Sequence, residues 1–349
     1  MNKRWMCGDI WLNILPFFDH AKLGLKMALL SDRYDVLVDK HFDGKSELTI
    51  WRTIGIHKDK GPKAKLSVRI DVKFVDFPLP DHPLPNKIRF KDLWIQYIDY
   101  SVIAFLRSNK QIWDRMGTKV GFAVSPYETE DSQRIWDVLA REILPIFATS
   151  IHHFGFHSAY ALDNLRRRTS PTLLTDLDQL NSIDSGALLP DGIADDGPNA
   201  TAGQVLTKWL HTPRKDGQPR RFHHNYFLGP QNLEWINNFK ETFRHATTSV
   251  SYNIQFYFRM ESTPIEQFEL VNKVTHEKLT LKLSEESIEL VYNWMLKRCP
   301  IGETAPIKFD PLYGNNSCAN LHNVRFDLGG KHCIGPLSPP AVEEEEELD

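Results

Sequence analysis

Residues 250–258 read VSYNIQFYF. Val250, Tyr252, Ile254 and Phe256 alternate with Ser251, Asn253, Gln255 and Tyr257. A period of two is that of an extended strand with one apolar and one polar face. The pattern recurs in Ser150–Ser158, SIHHFGFHS, where Phe154 and Phe156 alternate with His153, Gly155 and His157. Working outward, short strands are expected at Ile88–Ile95, Lys119–Ser125, Gln179–Ser185 and Arg220–Phe227. Between them lie helix-like stretches: DYSVIAFLRSNKQIWDRM, EDSQRIWDVLAREILPIF, SAYALDNLRRRTSPTLL, TAGQVLTKWLHT and PQNLEWINNFKETFRHA. Strand starts therefore recur about every 30 residues, apart from one insertion, which is the spacing of stacked supersecondary units.

Strand, helix, strand at this spacing implies right-handed crossovers and a parallel sheet. Two α/β architectures fit. One is an arc with helices on its convex side, like a divergent leucine-rich-repeat horseshoe; the other is a doubly wound sheet covered on both faces. A sheet buried on both faces should read as unbroken Val, Ile and Leu. The polar alternate positions favour the arc, a parallel βα solenoid over residues 88–260, although the Leu-x-x-Leu-x-Leu-x-x-Asn signature is absent.

The flanks differ in texture. Residues 43–87 hold two strand-like runs, ELTIWRTIGIH and AKLSVRIDVKF, around the turn HKDKGPK, which predicts a hairpin. Four prolines in FPLPDHPLPNK then predict a semi-rigid spacer. The insertion SGALLPDGIADDGPNA, residues 185–200, predicts a long exposed loop. Within 261–302, IEQFELVNKV, EKLTLKL and IELVYNWML predict a small antiparallel β cap over the last repeat. Residues 303–349 end in AVEEEEELD and are expected to be largely a disordered acidic tail.

At the other end, residues 8–42 read GDIWLNILPFFDHAKLGLKMALLSDRYDVLVDKHF. Ile10, Ile14 and Phe18 lie four apart, beside Trp11 and Leu15. Pro16 should end this helix near Leu15. Asp19 would cap a second helix carrying Leu23, Met27 and Leu30, with Leu25 and Leu29 alongside. Ser31 or Asp32 would cap a third helix carrying Tyr34, Leu37 and Val38. Three helices in so short a stretch cannot bury all this apolar surface on themselves.

The segment resembles an F-box. Met6-Cys7-Gly8-Asp9-Ile10 stands at its opening, Ile14-Leu15-Pro16-Phe17-Phe18 at its second block and Leu30-Ser31-Asp32-Arg33-Tyr34 at its last. Met6-Cys7 replaces the usual Leu-Pro, and Tyr34 the usual Trp. LGLKMALLSDRYDVLVDKHF is similar to the divergent, expanded F-box family of parasitic nematodes. So are Lys208-Trp209-Leu210-His211-Thr212-Pro213-Arg214-Lys215-Asp216-Gly217, Glu277-Lys278-Leu279-Thr280-Leu281 and Arg298-Cys299-Pro300-Ile301-Gly302, which extend the likeness over residues 5–302. The resemblance implies an F-box at 5–42 that docks on the Skp adaptor of an SCF-type cullin–RING ubiquitin ligase. The domain behind it would hold a protein substrate. Adaptor contacts are expected from Ile10, Ile14, Leu15, Pro16, Phe18, Leu23, Leu25 and Leu30, about half of which should hold the helices together instead. Substrate contacts are expected from the outward strand residues His153, His157, Asp184, Asn225, Gln255 and Tyr257. The alternative is a protein-binding repeat scaffold without the ligase link.

Composition sets bounds on other roles. A net charge of −3 argues against non-specific nucleic-acid binding, and no apolar run reaches the length of a membrane span. Asp9 and Asn13 interrupt the first apolar run, which argues against a signal peptide. Four scattered cysteines fit a reducing compartment, so a cytoplasmic or nuclear location is expected. No enzyme motif stands out, and neither a cofactor nor a metal is expected. There is no Gly-rich phosphate loop and no Gly-x-Ser-x-Gly elbow. His153 and His157 would sit about 13 Å apart on one strand, too far for one metal. His223 and His224 would point to opposite faces. Cys318, His322, His332 and Cys333 are zinc-competent types, but their spacing suits no tetrahedral site. Arg166-Arg167-Arg168, and Arg214-Lys215 with Arg220-Arg221, are expected as solvated charge.

Overall fold

The structure is a computed structural model that describes residues 7–18, 23, 27, 32–43, 48–58, 63–70, 73–80, 82–84, 88–124, 130–228, 234–259, 265–284, 291–302, 322–329 and 333–339. The protein is a mixed α/β chain. In order, its strands are β1 (Leu48–His57), β2 (Lys65–Ile70), β3 (Lys73–Pro78), β4 (Ile88–Ile95), β5 (Thr118–Val124), β6 (Ile151–Phe156) and β7 (Ser182–Ser185). Then come β8 (Arg220–Leu228), β9 (Tyr252–Arg259), β10 (Phe268–Asn272), β11 (Glu277–Leu283), β12 (Val291–Pro300) and β13 (His322–Leu328). Two compact units result, Met1–Met116 with His322–Asp349, and Gly117–Leu321.

In the first unit, β1 pairs antiparallel with β2 and β2 with β3, so the expected hairpin forms and gains a strand. The other edge of β1 pairs in parallel with β4, which pairs in parallel with β13. Thus β4, expected as the first repeat strand, joins the connector strands. The Pro-rich run is not a free spacer: Phe77, Pro80 and Leu84 are buried, and the Leu84 N–H donates to Asn109 Oδ1 at 2.7 Å. Prolines keep it extended, but its apolar side chains dock. The helix Tyr100–Ser108 starts at Asp99, whose carboxylate accepts from the Ser101 and Val102 amides, a standard N-cap.

The expectation of a largely disordered tail is revised over part of its length. Within 303–349, residues 322–329 and 333–339 are ordered: Val324, Phe326 and Leu328 are buried in β13, and Ile334 bridges to Ile98. Asn323 Nδ2 donates to Asp92 Oδ1 at 2.6 Å. A single strand among polar and glycine residues has no local partner to announce it; its partner β4 lies far back in the sequence.

In the second unit, β5, β6, β7, β8 and β9 are parallel and adjacent in chain order. Beyond β9 follow β12, β11 and β10, all antiparallel, as expected of the cap. The connecting helices pack on one another, including Glu130–Val138, Ala159–Arg168, Leu173–Asp176 and Ala202–Leu210. They meet one set of alternate strand residues. Trp235 and Phe239 of the helix Glu234–Arg244 stand edge-on to Phe256 and Tyr252, and Phe222, Ile254 and Phe154 are fully buried with them. Burial of each such side chain contributes about 2 kcal/mol. A π turn, Leu139–Ile143, joins Glu130–Val138 to Leu144–Phe147. Pro145 accounts for it, having no N–H for the helical ladder.

Two further expectations are revised here. Residues 185–200 are pinned, not freely exposed: Thr207 Oγ1 accepts from the Asp191 and Gly192 amides, and Asn238 Nδ2 donates to the Asp191 carbonyl. Gly192 has φ +89°, and a Cβ there would strike Asn238. Arg166, expected in solvent, is buried and donates to the carbonyls of Pro171, Gly197 and Ala200. Arg168 pairs with Asp137 at 2.9 Å. Arg220 is also buried; it donates to Leu180 and Thr212 carbonyls and lies over the Trp209 ring. Its guanidinium pKa is lowered to about 10, first by burial and then by Arg214. Guanidinium groups here satisfy loop carbonyls, a use that composition cannot reveal.

The cap is fastened by a buried ion pair. Glu277 Oε2 accepts from Arg298 Nη2 at 2.7 Å and Nε at 3.1 Å, and Oε1 accepts from Ser249 Oγ and the Val250 amide. Arg298 also donates to the Thr248 carbonyl and stacks over Phe243.

Candidate functional site

Two surfaces are built from residues that the sequence singles out. The first belongs to the N-terminal helices. Gly8–Ile14 is helical, Leu15–Phe17 forms a 3-10 turn with Pro16 inside it, and Asp32–Asp43 is helical. Leu15, Leu23, Leu37 and Val38 are buried as a small core, with Trp11, Leu12, Met27 and Tyr34 against it. Trp11 and Tyr34 meet edge to face at 5.1 Å, a geometry that aromatic quadrupoles favour. Outside this core Ile10 is 49% exposed, Phe18 39% and Val36 65%. Pro16 is exposed and Ile14 half-buried. Of the residues expected to contact an adaptor, Leu15 and Leu23 thus face inward, Ile10, Pro16 and Phe18 outward, and Leu25 and Leu30 lie outside the described residues.

The second surface is the sheet face of the Gly117–Leu321 unit opposite its helices. Register places Gly121, Gly155, Asp184, His223 and Gln255 side by side across β5 to β9. Lys119 and His153 form the neighbouring row and reach toward Asp184. Lys119 Nζ and His153 Nε2 each stand 2.9 Å from Asp184 Oδ2, and His223 Nδ1 stands 3.6 Å from Oδ1. On its far side His223 Nε2 is 3.2 Å from the Tyr257 hydroxyl. Gln255 Nε2 donates to that hydroxyl and to Asn293 Oδ1 of β12. One row of polar groups in close contact therefore crosses five parallel strands and enters the cap.

Asp184 is its electrostatic centre. Burial pushes its carboxyl pKa up, but the charge and hydrogen bond of His153, the hydrogen bond of His223 and the charge of Lys119 together outweigh burial. They hold it well below the usual carboxylate range. The carboxylate remains 20% exposed beside the partly exposed Lys119 and His223, whereas His153, Gln255, Tyr257 and Asn293 are buried. Among the described residues no group of three or more His, Cys, Asp or Glu is placed to hold a metal ion. Cys333 is buried and its thiol faces the Leu328 carbonyl, while Cys318 and His332 lie outside the described residues.

Of the expected substrate contacts, His153, Asp184, Gln255 and Tyr257 join this row, but only Asp184 keeps some exposure; His153, Gln255 and Tyr257 are buried rather than outward, their polar atoms turned to one another and to Asp184. His157 lies beyond the end of β6, where its Nε2 is 2.7 Å from the Tyr226 hydroxyl. Asn225 is exposed on an irregularity: from His223 to Phe227 β8 advances four residues while β9 advances two, Gln255 to Tyr257. Lys119, His223 and Asn293 are members that the candidate set omits. Strict alternation from Phe122 and Phe222 already puts Lys119 and His223 on the polar face, whereas Asn293 needs the antiparallel register of β12. His224, one residue on, faces the helices; burial, outweighing a hydrogen bond with Leu188, lowers its pKa to about 4. The chain matches no family model, no curated protein and no solved structure.

Proposed function

We propose that this chain is a substrate-receptor subunit of an SCF-type cullin–RING ubiquitin ligase. The helices of residues 8–43 would dock on the Skp adaptor, and the polar sheet face of the Gly117–Leu321 unit would hold a protein substrate. The observation that carries this reading is the division of labour in the helical module. Leu15, Leu23, Leu37 and Val38 close its core, yet Ile10, Pro16, Phe18 and Val36 remain in solvent. Large apolar side chains left outside a closed core are the anchors that a partner groove takes. Chain-order adjacency of the parallel strands, with helices on one face, supports a solenoid-like arc whose other face presents the partly exposed Lys119, Asp184 and His223 and the exposed Arg221. The chain would do no bond chemistry itself; its contribution is to hold a target lysine near a ubiquitin-charged enzyme, which raises effective concentration.

Capture of purified Skp adaptor by the full chain tests the reading, beside an Ile10→Asp, Phe18→Asp double variant. Both substitutions fall on exposed positions, so folding should be retained and capture lost. Absence of capture by the parent chain would overturn the ligase reading and leave the repeat scaffold. That alternative has its own support: Cys7, at the place where the family carries proline, is exposed and gives the first helix no side-chain cap.

A further inference from the structure

Gly121 and Gly155 are hydrogen-bonded neighbours in the middle of β5 and β6, next to Asp184 and His223 on the polar face. Glycine inside a strand is a cost: it loses more conformational entropy on folding than alanine and packs nothing. Neither position demands it. Both keep φ outside the left-handed region, and a Cβ at Gly121 or Gly155 would meet its nearest atom at 4.0 Å or 3.6 Å, ordinary contact distances. Both are partly exposed. Two adjacent unforced glycines leave bare backbone where another backbone can approach.

The rim around that floor has a defined chemistry. Lys119 and Arg221 flank it in the neighbouring row, with His153 and Ser182 between them. Arg221 is exposed and has no ion pair among the described residues. The one carboxylate in the bed, Asp184, is already matched by Lys119. Lys119 and Arg221 against Asp184 leave the bed a surplus positive charge, on a chain whose net charge is −3. From β5 to β8 it spans about 14 Å, the reach of roughly four extended residues.

Resting on the reading of this face as the substrate-holding surface, we infer that the Gly121–Gly155 floor seats the main chain of an extended acidic peptide segment. One Asp or Glu side chain of that segment pairs with Arg221. The glycines admit the peptide backbone between the partly exposed Lys119 and the exposed Arg221.

The test uses the full chain and a fluorescein-labelled octapeptide of alternating Glu and Thr, with the Gln–Thr octapeptide as control, read by anisotropy at two salt concentrations. The expected result is saturable binding of the Glu peptide that weakens with salt, and at least about tenfold weaker binding of the Gln peptide. Arg221→Glu should cost at least about tenfold. Gly121→Val with Gly155→Val should abolish binding while thermal unfolding stays at or above the parent temperature, since valine suits a strand. Equal binding of both peptides, no saturable binding, or undiminished binding by the folded double valine variant each overturns the inference. Adaptor capture is followed on the same proteins: capture without peptide binding overturns this inference alone, and peptide binding without capture overturns the ligase reading alone.

Discussion

Replacing Glu277 by Gln should loosen the β cap by several kcal/mol. The Glu277 and Arg298 side chains are 1% and 3% exposed, and the carboxylate accepts four hydrogen bonds, two from Arg298 and one each from Ser249 and Val250. Gln removes the charge and turns one acceptor into a donor. That donor then faces either the guanidinium or the Ser249 hydroxyl and Val250 amide. Arg298 cannot leave, because the Thr248 carbonyl and the Phe243 ring hold it. An uncompensated buried charge typically costs about 3–5 kcal/mol. Hydrogen exchange of the Val250 amide and of β11 and β12 reads this locally, which suits a chain of two compact units. Exchange there should accelerate by a hundredfold to several thousandfold, taking about 1.4 kcal/mol per tenfold. A Glu277→Leu, Arg298→Met double variant should recover at least about 2 kcal/mol, because no charge is then stranded. The reasoning fails if Glu277→Gln changes exchange by less than about fivefold, or if the double variant is no better than the single.

Other outcomes follow from the same structure. Leu15→Asp should destroy the helical module, since it buries a carboxylate among Leu23, Leu37 and Val38; Ile10→Asp should stay within about 0.5 kcal/mol of the parent, and far-ultraviolet circular dichroism of the two variants separates them. Acid should weaken the second unit through His224. Its folded pKa of about 4 lies below the ordinary histidine value of 6.5, so the unfolded chain binds the proton more readily. The contribution is whole above pH 6.5, falls between 6.5 and 4, and totals about 3 kcal/mol. Urea midpoints across that range should fall less steeply in His224→Phe, the remaining slope coming from His211, whose pKa burial also lowers to about 4; an unchanged slope would refute the assignment. Arg166→Met should strand the Gly197 and Ala200 carbonyls at a cost of about 2–4 kcal/mol and expose residues 193–199 to proteolysis, measurable as the rate of a single early cleavage.

Periodicity alone located β4 to β9, the helices between them and the antiparallel cap, because alternation and helical spacing are local properties of consecutive residues. It also divided the polar row from the apolar one, so His153, Asp184, Gln255 and Tyr257 were legible as one face, and the first and third of the apolar helical stretches of residues 8–42 were visible in outline, the second lying mostly outside the described residues. What it could not supply were relations between residues far apart in the chain. The β4 pairings with β1 and β13, the burial of Arg166 and Arg220 under distant loop carbonyls, and the turning inward of Leu15 beside an outward Ile10 depend on which segments meet. Main-chain hydrogen bonds and buried charges are satisfied only by those partners. Tertiary structure alone therefore decided that Lys119, Asp184, His153 and His223 converge, and that two glycines lie open beside them.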